Sequence, residues 1–268
     1  MRALGWIAIN GFRESVRDKV LYSLVAFAIL LIAASYILGQ LTAGQDLKIM
    51  KDLGLSSIAI FGLFMAVFIG VSLVSKEVER RSIYGLLAKP ITRREIVLGK
   101  FAGLTLTLAV NVAIMTLALY AVLAYVGWGE SEIARQAREA PILDPAILKA
   151  AVLILVQLMI VTVTALFFST FSTPILSAGL TFGVYVAGYF SQDLRNFDQV
   201  VGSKAAQMFA RVLSYVLPNL APFDVTSRIV HGLPVTAGYM AVTIAYGLVY
   251  VAMLLILGVT AFSRRDFK

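Results

Sequence analysis

The sequence predicts an all-α integral membrane protein with six transmembrane helices, and three observations lead to this fold class. Of its 268 residues, 60% are hydrophobic and 14% are charged, whereas charged residues approach a quarter of a soluble domain. The mean hydropathy is +0.88. The apolar residues fall into stretches of roughly 20, the length that a helix needs to cross about 30 Å of hydrocarbon. A single transmembrane domain over residues 1–268 is therefore expected.

The six predicted spans follow one another along the chain, and their bounds come from sliding hydropathy. They cover residues 21–41, 57–74, 101–126, 150–171, 173–190 and 236–262. Pro174 lies between the fourth and fifth spans. Because proline breaks a helix, these two spans are predicted to form a tight hairpin.

The segment before the first span, residues 1–20, is predicted to be an amphipathic N-terminal helix at the inner membrane surface. Apolar and small residues recur there at helical spacing: Leu4, Ile7, Ala8, Gly11 and Ser15. Basic residues occupy the rest of the helix: Arg2, Arg13, Arg17 and Lys19. An ordinary positively charged flank of the first span explains the same residues, so both interpretations stay open.

The orientation follows from the distribution of Lys and Arg, because positively charged loops are retained in the cytoplasm. The segment 75–100 is the most basic one, with Lys76, Arg80, Arg81, Lys89, Arg93, Arg94 and Lys100. The segments at the N-terminus and the C-terminus are basic as well. We therefore expect a multi-pass protein of the inner (cytoplasmic) membrane, with both termini and residues 75–100 in the cytoplasm and residues 191–235 outside.

Several function classes are disfavoured by composition. The net charge of +8 comes from residues that flank apolar spans, so we expect no nucleic-acid partner. The chain has no cysteine and one histidine, His231, which leaves no set of ligands for a thiolate or bis-histidine metal site. The predicted spans contain no Asp, Glu, Lys, Arg or His, which disfavours a proton-coupled secondary carrier. Their polar residues, chiefly Asn111, Gln157 and several Ser and Thr, are expected to form hydrogen bonds across helices or to their own backbone rather than to bind a substrate.

ATP hydrolysis by this chain is not expected. A phosphate-binding loop requires G-x-x-x-x-G-K-[ST]. Gly99 and Lys100 are present, but Arg94 stands where the first glycine must be. The chain is therefore predicted not to be an enzyme and to hold no cofactor of its own.

The segment 75–100 has the most specific pattern in the chain and is predicted to form two short helices. Ile83, Leu86 and Leu87 give the first helix an apolar face, and Pro90 ends it. Thr92 can cap the second helix, with Glu95 completing a capping box.

This segment resembles that of ABC-2 permeases, the transmembrane subunits of ATP-binding-cassette exporters. The residues that match the family pattern are Glu79, Leu86, Leu87, Pro90, Thr92, Arg93, Gly99 and Lys100. Arg81 and Ser82 depart from it, because the commonest members have Gly and Thr there. The resemblance also covers six spans, an amphipathic N-terminal helix and a long outer segment before the last span.

The resemblance implies that residues 75–100 form a cytoplasmic coupling loop that docks on a separate ATPase. The implied docking residues are Glu77, Glu79, Arg80, Arg81, Ile83, Leu86, Leu87, Lys89, Pro90 and Arg93. The implied partners are two copies of an ABC ATP-binding subunit, which would hold ATP and Mg²⁺, and a second permease half, identical or not. Membrane lipids complete the expected surroundings, and the residues that bind a substrate stay unknown.

The outer segment before the last span contains a second feature. An apolar stripe runs along Met208, Phe209, Val212, Leu213, Val216 and Leu217 and ends at Pro218. It fits a half-inserted helix and an interfacial helix equally well. In the family such helices help to close the outer end of the pathway, so the resemblance gives a candidate outer gate at Pro218, Asn219 and Phe223.

The predicted function is that of an exporter permease that forms half of the translocation pathway. The uncharged spans favour an apolar or amphipathic cargo. A non-transporting membrane anchor or assembly subunit, which docks a cytoplasmic partner through the same basic loop, is the alternative that the sequence leaves open.

Overall fold

The computed structural model describes residues 2–41, 46–79, 93–129, 141–191, 207–208, 212 and 214–263, and the regular elements among them are all helical. Eight α-helices are named here in chain order: α1 (Arg2–Val16), α2 (Lys19–Gln40), α3 (Asp46–Glu79), α4 (Arg93–Trp128), α5 (Ala146–Ser169), α6 (Pro174–Tyr189), α7 (Thr226–Val230) and α8 (Ala237–Ser263). A 3₁₀ turn, Ala221–Phe223, precedes α7. The predicted all-α fold is confirmed for these residues.

Five of the described helices are long and apolar enough to cross a membrane: α2, α3, α4, α5 and α8. The fifth predicted span corresponds to α6, which has 16 residues. At a rise of 1.5 Å per residue, α6 is about 24 Å long, shorter than the roughly 30 Å of hydrocarbon. The chain is thus a multi-pass helical membrane protein, in which α6 is a shorter element than the sequence predicts.

Two helices extend well beyond their predicted spans. α3 has 34 residues and α4 has 36, against predictions of 57–74 and 101–126. The extra turns are polar and therefore fall below the hydropathy threshold, but they keep the helical hydrogen bonds. Lys48 and Lys51, expected in the first outer loop, consequently lie in the first turns of α3.

The centre of the bundle is formed by α3 and α5. In α5, 72% of the apolar span is buried, whereas in α2 only 22% is. Glycines of α3 allow the close approach: a Cβ added at Gly62 would lie 2.5 Å from Leu158 Cδ1, and one at Gly70 would lie 2.7 Å from Ala165 Cβ. Small residues at such positions are how membrane helices pack closely without a hydrophobic driving force.

The turn between α5 and α6 follows the predicted break. Thr173 has an extended backbone and Pro174 is the first residue of α6, where its missing N–H costs no hydrogen bond. The hydroxyls of Ser172 and Ser177 lie 2.7 Å apart across the turn. Further along, Gln157 Nε2 donates to Tyr189 Oη at 2.6 Å. These contacts establish the antiparallel hairpin and confirm that Gln157 bonds across helices.

The two ends of the bundle differ in the residues and turns that they contain. The basic end is where α3 ends at Glu79, α4 begins at Arg93 and the α5–α6 turn lies. The distal end is where α3, α5 and α8 begin. Lys149 of α5 bonds to Val235, just before α8, and Val156 packs against Gly247 further along both helices, so α5 and α8 run in the same direction. The last described turn of α8 and the first turns of α1 both lie toward the basic end.

Candidate coupling end and outer gate

The predicted coupling residues lie at the basic end, as far as the structure describes them. Glu77 and Glu79 belong to the last turns of α3, and Arg93 is the first residue of α4. The other predicted docking residues lie outside the described residues: Arg80, Arg81, Ile83, Leu86, Leu87, Lys89 and Pro90. The structure therefore describes the two helices that flank residues 80–92, and the docking contacts of those residues stay a prediction.

Helix α1 packs along the first turns of α4, directly beside the point where the loop 80–92 enters. Gly99 and Gly103 of α4 face it. A Cβ added at Gly99 would lie 2.8 Å from Ile7 Cβ, and one at Gly103 would lie 2.5 Å from the Ala8 carbonyl oxygen. The two helices are thus in backbone contact, and any motion of the start of α4 reaches α1.

The face of α1 that packs is the one that the sequence pattern marked. Gly11 and Ser15 are buried, whereas Trp6 is 72% exposed. In the sequence Gly99 belongs to the family motif and to the incomplete phosphate-binding pattern, and its contact with α1 is visible only in the structure. The opposing Gly103 lacked any signal except its spacing of four residues from Gly99, which places both on one face of a helix.

A buried ion pair lies at the distal end. Lys51 Nζ is 3.3 Å from Asp144 Oδ2, and the Lys51 side chain is 4% exposed. The same ammonium donates to the Pro141 carbonyl at 3.3 Å. Asp144 is itself held, because its Oδ1 accepts from the Ala146 N–H at 2.8 Å and its carbonyl accepts from Tyr120 Oη at 2.8 Å. Lys51 lies before the predicted span 57–74, which itself contains no charged residue, and these bonds explain how its buried charge is tolerated in the longer helix α3.

The candidate gate residue Phe223 lies inside the bundle. It is 0% exposed. A Cβ added at Gly247 would lie 3.0 Å from Phe223 Cζ and 2.5 Å from Val156 Cγ1. Gly247 and Val156 each lie ten residues after the first residue of their helix, about 15 Å from the distal end at 1.5 Å per residue. The Phe223 ring therefore lies inside the bundle between α5 and α8, and we call it the Phe223 wedge.

Three tyrosines of α8 bind the main chain of the segment that precedes this wedge. Tyr250 Oη donates to the Val216 carbonyl at 2.9 Å. The Asn219 N–H donates to Tyr246 Oη at 2.8 Å. Tyr239 Oη donates to the Pro222 carbonyl at 2.6 Å. We call Tyr239, Tyr246 and Tyr250 the tyrosine ladder.

The ladder fixes the depth and direction of the segment 216–222. Tyr250 lies 13 residues after the start of α8, about 20 Å from the distal end. The bonded main-chain groups rise from Val216 at Tyr250 to Pro222 at Tyr239, so the segment runs antiparallel to α8. An element that reaches this depth favours the half-inserted interpretation over the interfacial one for residues 214–223.

The other two candidate gate residues lie at the end of α6. The Pro218 carbonyl oxygen would be 2.7 Å from a Cβ at Gly188, and the Leu220 N–H donates to the Gly188 carbonyl at 3.1 Å. Asn219 Oδ1 is buried and has no hydrogen-bond partner among the described residues. The structure thus brings Pro218, Asn219 and Phe223 together along one segment, between α6 and α8.

Beyond the wedge the chain returns to the distal end. Lys149 Nζ of α5 donates to the Val235 carbonyl at 2.8 Å, and the Arg228 guanidinium lies 4.7 Å from the centre of the Tyr239 ring. Val235 is 2% exposed. The segment 216–235 is therefore held at both its deep and its distal parts, and neither the tyrosines nor Lys149 stood out in the sequence.

The described helices define a helical, multi-pass membrane protein. The family model described as ABC-2 family transporter protein matches residues 5–267. The chain belongs to this family, as the resemblance of the segment 75–100 predicted. No curated protein matches the chain.

Proposed function

We propose that this chain is the permease subunit of an ATP-driven exporter, in which it forms half of the translocation pathway. The observation that carries the proposal is the family match over residues 5–267. The bundle supplies what such a subunit needs: long helices that leave the hydrocarbon at the basic end, and a half-inserted segment that fills the distal half of the bundle between α6 and α8.

Coupling to the ATPase would occur through residues 75–100. With 34 and 36 residues, α3 and α4 are about 51 Å and 54 Å long, well over the roughly 30 Å of hydrocarbon. Part of each helix therefore stands outside the membrane, and the two polar ends meet at the loop 80–92. Force on this loop would act on α3 and α4 together and, through Gly99 and Gly103, on α1.

The partners follow from the same proposal. ATP and Mg²⁺ would be bound by two copies of a separate ABC ATP-binding subunit, because the described helix at Gly99 begins with Arg93 rather than with a glycine-rich loop. A second permease half would complete the pathway. Closure of the ATPases would switch the paired halves between inward and outward arrangements as rigid bodies. The apolar spans favour an apolar or amphipathic cargo.

The test is capture of the cognate ATP-binding protein by the tagged permease, together with cargo-stimulated ATP hydrolysis in membranes. Replacement of Leu86 and Leu87 by Ser is expected to abolish both, since central apolar anchors often carry over 2 kcal/mol each of an interface. The matched control replaces two exposed leucines of the distal end by Ser, Leu143 (52% exposed) and Leu233 (55% exposed), and is expected to behave like the parent.

The outcomes separate the candidate functions. Normal capture and hydrolysis in the Leu86/Leu87 variant would refute docking through this loop. Capture without any cargo movement by the parent complex would favour the anchor or assembly subunit over an exporter. Hydrolysis of ATP by the purified chain alone would refute the division of labour between two chains.

A further inference from the structure

The segment 216–222 places irregular main chain alongside α8, within the length of a helix that is long and apolar enough to cross a membrane. Its residues 218–220 have no regular secondary structure, and its deepest bonded residue, Val216, lies at the level of Tyr250. Within a membrane, irregular backbone is stable only where protein or a water-filled cavity satisfies its N–H and C=O groups. The groups that satisfy it here therefore decide whether the segment stays in place.

Those groups are largely side-chain hydroxyls of one helix. Tyr239, Tyr246 and Tyr250 are spaced by seven and four residues, so they lie on one face of α8. Together they bind Val216, Asn219 and Pro222 at 2.6–2.9 Å. Main-chain bonding to neighbouring elements is sparse by comparison, with one bond from Leu220 to Gly188 of α6.

We propose that the tyrosine ladder acts as the catch of the outer gate, which means that its hydroxyls hold the segment 216–223 against α8 in the closed state. When the gate opens, these hydrogen bonds are exchanged for bonds to water or to a cargo hydroxyl. The proposal rests on the proposed function, in which this segment closes the outer end of the pathway, and it assigns the residues that control the closure.

Two features distinguish a catch from permanent packing. Each ladder bond joins a single hydroxyl to a single main-chain group, so water can replace the bonds one at a time. The main-chain hydrogen bonds within a helix, by contrast, can be exchanged only if the helix unwinds. Asn219 Oδ1 is buried, and no described residue donates to it, so within the described part of the chain the closed state leaves this acceptor unsatisfied. Such an acceptor favours an arrangement in which a donor becomes available.

The experiment removes the hydroxyls and keeps the rings, using Tyr246→Phe, Tyr250→Phe and the double variant. The chain has no cysteine, so Ala221→Cys provides a unique label on the gate segment. The rate of its reaction with a membrane-impermeant maleimide, added from the outer side of native membranes, measures how often the segment opens. The matched control is Tyr22→Phe, because Tyr22 is 58% exposed and lies on α2, away from the gate segment.

Loss of one hydrogen bond inside a membrane protein shifts an equilibrium by about threefold. We therefore expect labelling about threefold faster in each single variant and about tenfold faster in the double variant, with Tyr22→Phe unchanged. Labelling of both single variants and of the double variant within 1.5-fold of the parent, as a rough limit set by that threefold effect, would overturn the catch. A double variant that fails to fold leaves the single variants to decide.

Different results would refute the proposed function and the proposed catch. A parent chain that binds no ATPase and moves no cargo would refute the proposed function while the labelling rates still respond to the ladder. Normal coupling in the parent, with labelling that ignores the ladder hydroxyls, would refute only the catch.

Discussion

Substitution of Gly103 by Ala is expected to loosen α1 from α4. The added Cβ would lie 2.5 Å from the Ala8 carbonyl oxygen and 3.1 Å from the Phe12 nitrogen. Both contacts are main-chain atoms of α1, so no side chain can rotate away to make room. The whole helix has to move.

The size of the effect follows from this geometry. A carbon normally stays about 3.3–3.6 Å from a carbonyl oxygen, so α1 must shift by about 0.8–1.1 Å. Overpacking of this kind costs about 1–3 kcal/mol, and the better helix propensity of Ala does not offset it, because α4 stays helical whether α1 is docked or not. The undocked fraction of α1 is therefore expected to rise by about 5- to 160-fold.

The assay is limited proteolysis by trypsin of a chain with an N-terminal tag. Cleavage after Arg13, within α1, requires this helix to undock and unwind, so the rate of tag release by a cut at Arg13, separated by fragment mass from a cut at the exposed Arg17, follows the undocked population. The matched control is Gly179→Ala in α6, where nothing lies within 4 Å of the added Cβ. Tag release from Gly103→Ala no faster than from the control would refute the close contact between α1 and α4.

Two further predictions concern the distal end and the orientation. Lys51→Met leaves the partly buried Asp144 without its cation and should destabilise the chain, by less than the roughly 3–5 kcal/mol that breaking a fully buried pair costs, seen as a lower melting temperature in detergent. Lys51→Met combined with Asp144→Asn should recover most of that loss, and an unchanged melting temperature in the single variant would show that the ion pair contributes nothing. Single-cysteine labels should react only from the cytoplasm or only from outside, as the Lys and Arg distribution predicts, and any reversal would overturn the orientation. The cytoplasmic positions are Ser82 and Lys268, and the outer positions are Gln45, Ser131 and Ser203.

The two sites lie at opposite ends of the bundle and are joined by the same helices. α3 leads into the predicted coupling loop at its last turn and carries the Lys51 ion pair in its first turns. α5 packs against α3 along its length and meets the Phe223 wedge at Val156. A rigid α3–α5 pair therefore offers a direct mechanical connection between the docking surface and the gate in the proposed exporter.

The sequence by itself determined the class of fold and the position of most helices. Hydropathy over about 20 residues depends only on the composition of a local segment, so it places each apolar helix without knowledge of its neighbours. Local rules also sufficed for the break at Pro174, for the helix before the first span and for the face of that helix that packs. The family followed from the motif between Glu79 and Lys100, and the match over residues 5–267 confirms it.

Only the tertiary structure decided which polar groups meet. Lys51 bonds to Asp144 across 93 positions of the chain, and Tyr250 bonds to Val216 across 34. The local sequence does not show that either pair will form, since a tyrosine or a lysine has the same hydropathy with or without its partner. The same reason applies to Gly103, which is an ordinary glycine until the carbonyl of Ala8 lies against it. Hydropathy measures the free energy of transferring a segment out of water, whereas these contacts depend on where distant segments meet.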